Sequence, residues 1–392
     1  MTSPRQFPDG LLNEPPEARL SYFIGYTVAH PMLKAADEAL TTAISSPCGS
    51  SLIFIYGPTG VGKTTLRLRI YQRLIQTLLP SLMEDPGRIP AVAIEATAPD
   101  SGNFNWRYYY KSVLDSLKEP LVEHKIDFNR HILSMDSMGR VCPIRRGGTL
   151  ADLRIAVEHT LKYRKVAILF VDEAQHLTKM ASGRKLQDQL DCIKSLASTT
   201  GTTHVLIGTY ELLPFRNLSG QLSRRSTDIH FPRYKAEVPE ELMAFKSTLL
   251  AFQRHLPIEE ETDLLCHWDY FYERTLGCIG ILKDWLAKSL ASTLKDGGSR
   301  IALDTLKQYA LSVSQCRRMA TEIIEGENRV MESNDGSMQL RKILGLDNEA
   351  GTSSKQLGNS EASLSPDPQK RRGRVGQRQP ARDRIGVEEH AG

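Results

Sequence analysis

Eight consecutive residues, Gly57, Pro58, Thr59, Gly60, Val61, Gly62, Lys63 and Thr64, carry the spacing G-x-x-x-x-G-K-[ST], with Thr65 directly after. Glycines so placed let backbone N–H groups close around phosphate oxygens. The lysine brings an ammonium to the terminal phosphates of ATP, and the Thr64 hydroxyl can ligate Mg²⁺. A helix opening at this point aims its N-terminal dipole at the same charge. A glycine-rich turn with no ligand is the competing reading. An apolar strand before the motif and a helix after it argue against that reading.

A second acidic element follows much later in the chain. Residues Val166 to Glu173, VAILFVDE, deliver two carboxylates at the end of an apolar run, the edge at which open α/β sheets bind ligands. Asp172 can hold Mg²⁺ and Glu173 can orient the water that attacks a γ-phosphate. A helix N-cap is the simpler role open to Asp172. In VLIGTY, Val205 to Tyr210, Thr209 either touches the γ-phosphate or attacking water, or caps the turn after its strand. In LSRRSTDIHF, Arg224 and Arg225 precede a short apolar strand. They are either solvated surface cations or groups that enter a neighbouring subunit's site and neutralise charge in the transition state.

These residues require strands and helices in alternation. Apolar runs predict strands at Ser51–Tyr56, Ala91–Glu95, Val166–Val171 and His204–Ile207. Helical spacing predicts helices at Leu66–Leu79, Trp106–Leu117, Leu150–Tyr163 and Gln187–Ser198. The order implies an α/β fold, a P-loop nucleotide-binding domain with a parallel sheet and right-handed crossovers. Residues 124–149 read as irregular. After Pro232 four helical patterns follow, Pro239–Leu256, Glu261–Leu276, Ile279–Leu294 and Leu303–Glu325, and predict a small all-α lid. The expected division is a leader over 1–50 that sits near the nucleotide, a nucleotide-binding core over 51–235, the lid over 236–346 and a tail over 347–392. The tail is rich in Gly, Ser, Pro, Gln and Arg, so it is expected to be disordered. Its basic cluster, Lys370, Arg371, Arg372, Arg374, Arg378, Arg382 and Arg384, fits DNA, a partner protein or mere solvation.

Over 392 residues the formal charge is only +4, so a nucleic-acid surface must come from local clusters. Six dispersed cysteines without zinc spacing, no apolar signal core and no membrane-length apolar run point to a reduced cytoplasmic protein with no membrane contact.

The P-loop, VDEAQHL, IGTYELLPF, QLSRRSTDIHFPRY and GCIGILKDWL stand in the order of AAA+ ATPases. The chain more narrowly resembles the TniB/TnsC group of transposition regulators, which are relatives of MuB, over roughly residues 20 to 325. The resemblance implies an AAA+ ATPase that assembles with copies of itself, as a ring or helical filament, on double-stranded DNA of any sequence. It also implies a transposase and a targeting subunit as partners. It assigns Lys63, Thr64, Asp172, Glu173 and Thr209 to the nucleotide and places Arg224 and Arg225 in the finger region. Gly280 is followed by Ile281, Leu282 and Lys283 where many AAA+ proteins carry a sensor arginine, so Lys283 is the candidate phosphate sensor. Arg107 and Lys111 stand where the group places a DNA-facing helix, although the aromatic residues beside them equally suit a core. Arg145 and Arg146 are further DNA candidates, with a solvated loop as their alternative.

Two other classes share the motif. An initiator or signalling AAA+ switch uses the same catalytic residues on another partner. A metabolic P-loop kinase needs an acceptor pocket and no arginine from a neighbour, and the Asp-Glu pair, paired arginines and helical lid weigh against it.

Overall fold

The protein is described from a computed structural model, over residues 5–45, 51–99, 104–119, 133–135, 141–143, 149–179, 183–216, 226–331 and 340–346. Residues Met1–Glu332 form one compact unit and Ser333–Gly392 a second. In the second unit only 340–346 are described, a short helical stretch with Leu340, Ile343 and Leu344 exposed.

The first unit is built on five parallel strands, β1 (Leu52–Tyr56), β2 (Ala91–Glu95), β5 (Ile168–Asp172), β6 (Thr203–Gly208) and β7 (Ser226–His230), in the spatial order β2-β5-β6-β1-β7. Their side chains alternate between two apolar layers, as the two-residue period of a strand requires. Leu52, Phe54, Leu169, Val171 and Leu206 enter one layer, while Ile53, Ile55, Ile168, Phe170, Val205 and Ile207 enter the other. Burial on both faces explains why these strands read as unbroken apolar runs. The crossovers are α3 (Lys63–Glu84), α4 (Trp106–Ser116), α5 (Leu150–Tyr163) and α6 (Gly183–Thr200).

Before β1, two helices, α1 (Pro16–Gly25) and α2 (Pro31–Ser45), serve different layers. Leu33, Ala36 and Leu40 of α2 join the sheet layer that holds Leu66 and Ile70. Phe23 of α1 joins a third core instead, with Tyr234, Phe245, Phe252, Phe271 and Trp285. That core belongs to the helices after β7 and α7 (Leu213–Arg216), namely α8 (Pro239–His255), α9 (Trp268–Thr275), α10 (Ile279–Lys295), α11 (Leu303–Tyr309) and α12 (Val313–Val330). Arg19 fastens the leader there, donating to the Pro257 carbonyl from Nε at 2.9 Å and Nη2 at 2.6 Å.

Three elements differ from the sequence expectation. The helix expected over 261–276 begins only at Trp268. Upstream, Asp263 accepts the N–H groups of Leu265 and Cys266, and Thr262 donates to the Ile301 carbonyl, which holds the chain out of the helix. The helix expected over 303–325 is two helices. Ser312 starts the second with a capping box to Gln315, side chain to N–H in both directions. Within the stretch read as irregular, β3 (Leu133–Met135) and β4 (Val141–Pro143) pair antiparallel. Among the described residues no helix is long and apolar enough to cross a membrane.

Candidate functional site

β1 ends at Tyr56, and the following loop carries left-handed backbone at Gly60 (φ +79°) and Gly62 (φ +107°), which a side chain would strain. Gly62 is the N-cap of α3, so the unpaired N–H groups of the helix start open onto the loop. Lys63 is buried, and its ammonium turns back to the carbonyls of Gly57 at 2.9 Å and Pro58 at 2.7 Å. Burial pulls its pKa down to about 8, against the opposing pull of Glu173, Cys278 and Asp172. An ammonium held by two neutral carbonyls would gain from exchanging them for an anionic partner.

The end of β5 lies alongside. Asp172 is buried, and its carboxylate is occupied on both oxygens: Oδ1 accepts from the Glu173 N–H at 3.1 Å, while Oδ2 accepts from Thr64 Oγ1 at 3.3 Å and Arg67 Nε at 3.1 Å. Thr64 and Asp172 thus meet in one hydrogen bond from two elements far apart in sequence. Hydroxyl and carboxylate oxygen are the hard donors Mg²⁺ prefers. Among the described residues no group of three or more His, Cys, Asp or Glu could hold a metal.

Directly after Asp172 the chain turns through left-handed Glu173, φ +50°, into the 3₁₀ turn Ala174–Thr178. The Glu173 carboxylate accepts a hydrogen bond from Gln175 Nε2, and Gln175 Oε1 accepts one from the Thr209 N–H at 3.3 Å. The Thr209 hydroxyl caps the next turn, accepting from the Glu211 N–H at 3.4 Å. Pro58, Thr59, Gln175 and Thr209 line one side of a cavity of about 450 Å³, whose other side is Met319, Ile323 and Gly326 of α12.

On the opposite flank of the loop, the start of α10 rests on Gly60. The N–H groups of Gly280 and Ile281 both donate to the Gly60 carbonyl, at 2.6 and 3.2 Å. Lys283 lies in this flank, but its ammonium donates to the Ile24 carbonyl of the leader at 2.7 Å. A small cavity between leader, loop and α10 is lined by Thr27, Val28, His30, Val61, Thr65 and Ile279. Burial pushes His30 down to about 4, and its Nδ1 meets the Tyr234 hydroxyl at 3.0 Å.

The structure therefore brings Lys63, Thr64, Asp172, Glu173 and Thr209 to one edge of the sheet and sets Lys283 at the leader. Arg107 and Lys111 stand one turn apart on α4, Arg107 exposed and Lys111 half-buried, beside Tyr109 and Tyr110 in the core. Arg145, Arg146, Arg224, Arg225 and the basic tail lie outside the described residues. Two residues at the site escaped the sequence reading. Arg67 follows Thr64 by three positions and so shares its helix face, a spacing that could have marked it. Gln175 is a polar residue in the apolar setting of Ala174 and Leu177, two positions beyond the acidic pair.

A family model described as "AAA domain" matches residues 48–215. No curated protein matches this sequence. Among solved structures, the Aeropyrum pernix ORC2 protein in its ADP form is similar at 16% identity and TM-score 0.48, over 75% of this chain and 72% of that one. The Walker-type ATPase PABY2304 of Pyrococcus abyssi is similar at 14% identity and TM-score 0.41, over 80% and 76%. Domain III of the Thermotoga maritima replication initiation protein DnaA is similar at 17% identity and TM-score 0.36, over 82% and 99%. The chain has the AAA+ P-loop fold, a parallel sheet flanked by helices and followed by a helical region.

Proposed function

We propose that this chain is an ATPase that binds ATP with Mg²⁺ between the Gly57–Thr65 loop and the end of β5, and that ATP governs its assembly on DNA. The observation that carries the reading is the convergence of Thr64 and Asp172 on one hydrogen bond, with the Lys63 ammonium and the Glu173 carboxylate in the same edge of the sheet. Gly57–Thr65 cradle the phosphates and Lys63 pairs with the terminal ones. Thr64 and Asp172 would hold the cation, which when bound spreads the phosphate charge. Glu173 orients and polarises the attacking water, and Thr209 stands beside it. The base would enter between leader and α10, where a cavity of about 30 Å³ with Lys283 at its margin must widen to take it.

Arg224 and Arg225 act from a neighbouring subunit in a ring or filament, where they neutralise charge at a site that is not their own. Arg107, Lys111, Arg145 and Arg146 meet double-stranded DNA through its phosphates, without reading sequence. The resemblance in DEAQHL, IGTYEL and GCIGILKDW makes the output recruitment or activation of a transposase with its targeting subunit. In this reading residues 51–235 are the nucleotide-binding core, 236–346 its lid, 1–50 the leader and 347–392 a basic tail.

The test is the size and salt response of the full chain on unrelated DNA duplexes with a slowly hydrolysed ATP analogue or ADP. Assembly with the analogue alone, steep loss with salt and little sequence preference are expected. DNA binding that ignores the nucleotide would overturn assembly control. Mixing Lys63→Ala with the double variant Arg224→Ala, Arg225→Ala should restore part of the turnover, because wild-type fingers then meet wild-type pockets. A mixture as inactive as either variant, with mixed oligomers demonstrably formed, removes the finger role. Stimulation of another DNA machine in place of a transposase would assign the chain to initiator-type switches.

A further inference from the structure

The hydrolytic edge of the site contains a side chain with no assigned role. Gln175 is 6% exposed and sits in the turn after β5. Both ends of its amide are used: Nε2 donates to the Glu173 carboxylate, and Oε1 accepts from the Thr209 N–H at 3.3 Å. The residue before Thr209 is Gly208, and a Cβ there would collide with Gln175 Oε1 and lie 2.9 Å from Leu212 Cδ1. The amide thus lies in space that a bare backbone leaves open. Glu173 also adopts left-handed backbone, which strains a non-glycine residue and persists only where surrounding contacts impose it.

We propose that Gln175 is a positioning residue for ATP hydrolysis: its amide fixes the direction of the Glu173 carboxylate and ties it to the end of β6, so that two separate strands hold one catalytic group in register. The proposal rests on the reading of Glu173 as the carboxylate that orients water. The chemistry requires an amide. A glutamate at 175 keeps an acceptor for the Thr209 N–H but presents a second carboxylate to Glu173, and a methionine fills similar space with neither bond. Lys63 lies outside this contact, so binding of phosphates and direction of the carboxylate are separable.

The experiment uses the full chain with DNA present and compares wild type, Gln175→Met, Gln175→Glu, Glu173→Gln and the swap of Glu173→Gln with Gln175→Glu. Steady-state ATP turnover, binding of a fluorescent mant-ATP probe and Tm are measured for each. Gln175→Met and Gln175→Glu are expected to lower kcat by about 10- to 100-fold, with mant-ATP affinity within about 2-fold of wild type, the pattern of a contact that matters only to the chemical step. Gln175→Glu should also lower Tm. The swap exchanges donor and acceptor, so Tm should return toward wild type while kcat stays at the level of Glu173→Gln. Wild-type kcat in both Gln175 variants, or a swap that regains no Tm, overturns the proposal. If Glu173→Gln itself turns over normally, the reading of Glu173 fails first and the proposal falls with it, an outcome distinct from loss confined to the Gln175 variants.

Discussion

Lys63 is a buried ammonium whose present partners are two carbonyls of its own loop. Lys63→Ala removes charge and phosphate hydrogen bonds together, so mant-ATP affinity should fall by about 100-fold or more, which titration will show. Glu173→Gln keeps the size of the side chain and loses the carboxylate. ATP binding should persist while turnover falls by about 10²–10⁴, measured in a single-turnover assay. Arg67 is tied to Asp172 at 3.1 Å with both side chains largely buried. Arg67→Met takes the charged partner from that carboxylate, leaves it the Thr64 hydroxyl and the Glu173 N–H, and should destabilise the free protein by about 1–3 kcal/mol, seen by urea unfolding, and Mg²⁺ should restore part of the loss. That Lys63, Thr64, Asp172 and Glu173 would meet at one edge of the sheet was legible, because the G-x-x-x-x-G-K-[ST] spacing and the apolar strand ending in Asp-Glu both sit at strand ends. Arg67 and Gln175 were not, because each contacts a partner that only the folded chain brings near.

Helix α10 meets the Gly57–Thr65 loop through backbone and side chain: Gly280 and Ile281 donate to one carbonyl, that of Gly60, and the Ile281 side chain lies against Gly60. A Cβ at Gly280 would lie 2.5 Å from that oxygen, whereas one at Gly25 meets nothing within 4 Å. Gly280→Ala should therefore part α10 from the loop, lower stability by about 1–3 kcal/mol and weaken nucleotide binding. Gly25→Ala, at the end of α1, should be neutral or raise stability by up to about 1 kcal/mol. Tm and mant-ATP affinity for the pair decide between them, and equal behaviour would deny the contact any role. At this scale the strands were readable because their two-sided burial leaves unbroken apolar runs. The break after Tyr309 was not, because it rests on contacts of the folded chain, the reciprocal bonds of Ser312 and Gln315 and the bond from Arg274 to the Leu311 carbonyl. The late start of α9 was hidden likewise in the bonds of Asp263 and Thr262.

Across the first unit, His30 and His204 are both buried and held near pKa 4 by that burial, His204 despite its hydrogen bond to the Thr202 carbonyl. Each binds its proton less readily folded than unfolded, where about 6.5 applies. Stability should therefore be full above about pH 6.5 and fall toward pH 4, with a slope of up to about 1.4 kcal/mol per pH unit for each histidine. Urea midpoints at pH 7, 5.5 and 4.5 will measure it, and a flat profile would contradict the burial. The leader's attachment has a consequence for synthesis. Arg19 and its acceptor Pro257 are 238 residues apart, and Phe23 has its partners among Phe252, Phe271 and Trp285. On a ribosome adding about 5–20 residues per second, α1 waits roughly 12 to 48 seconds for the surface that will cover Phe23. During that interval its apolar face is open to chaperones and to other nascent chains, and a message truncated before α8 leaves Phe23 of α1 without its core while α2 still has the sheet layer to join.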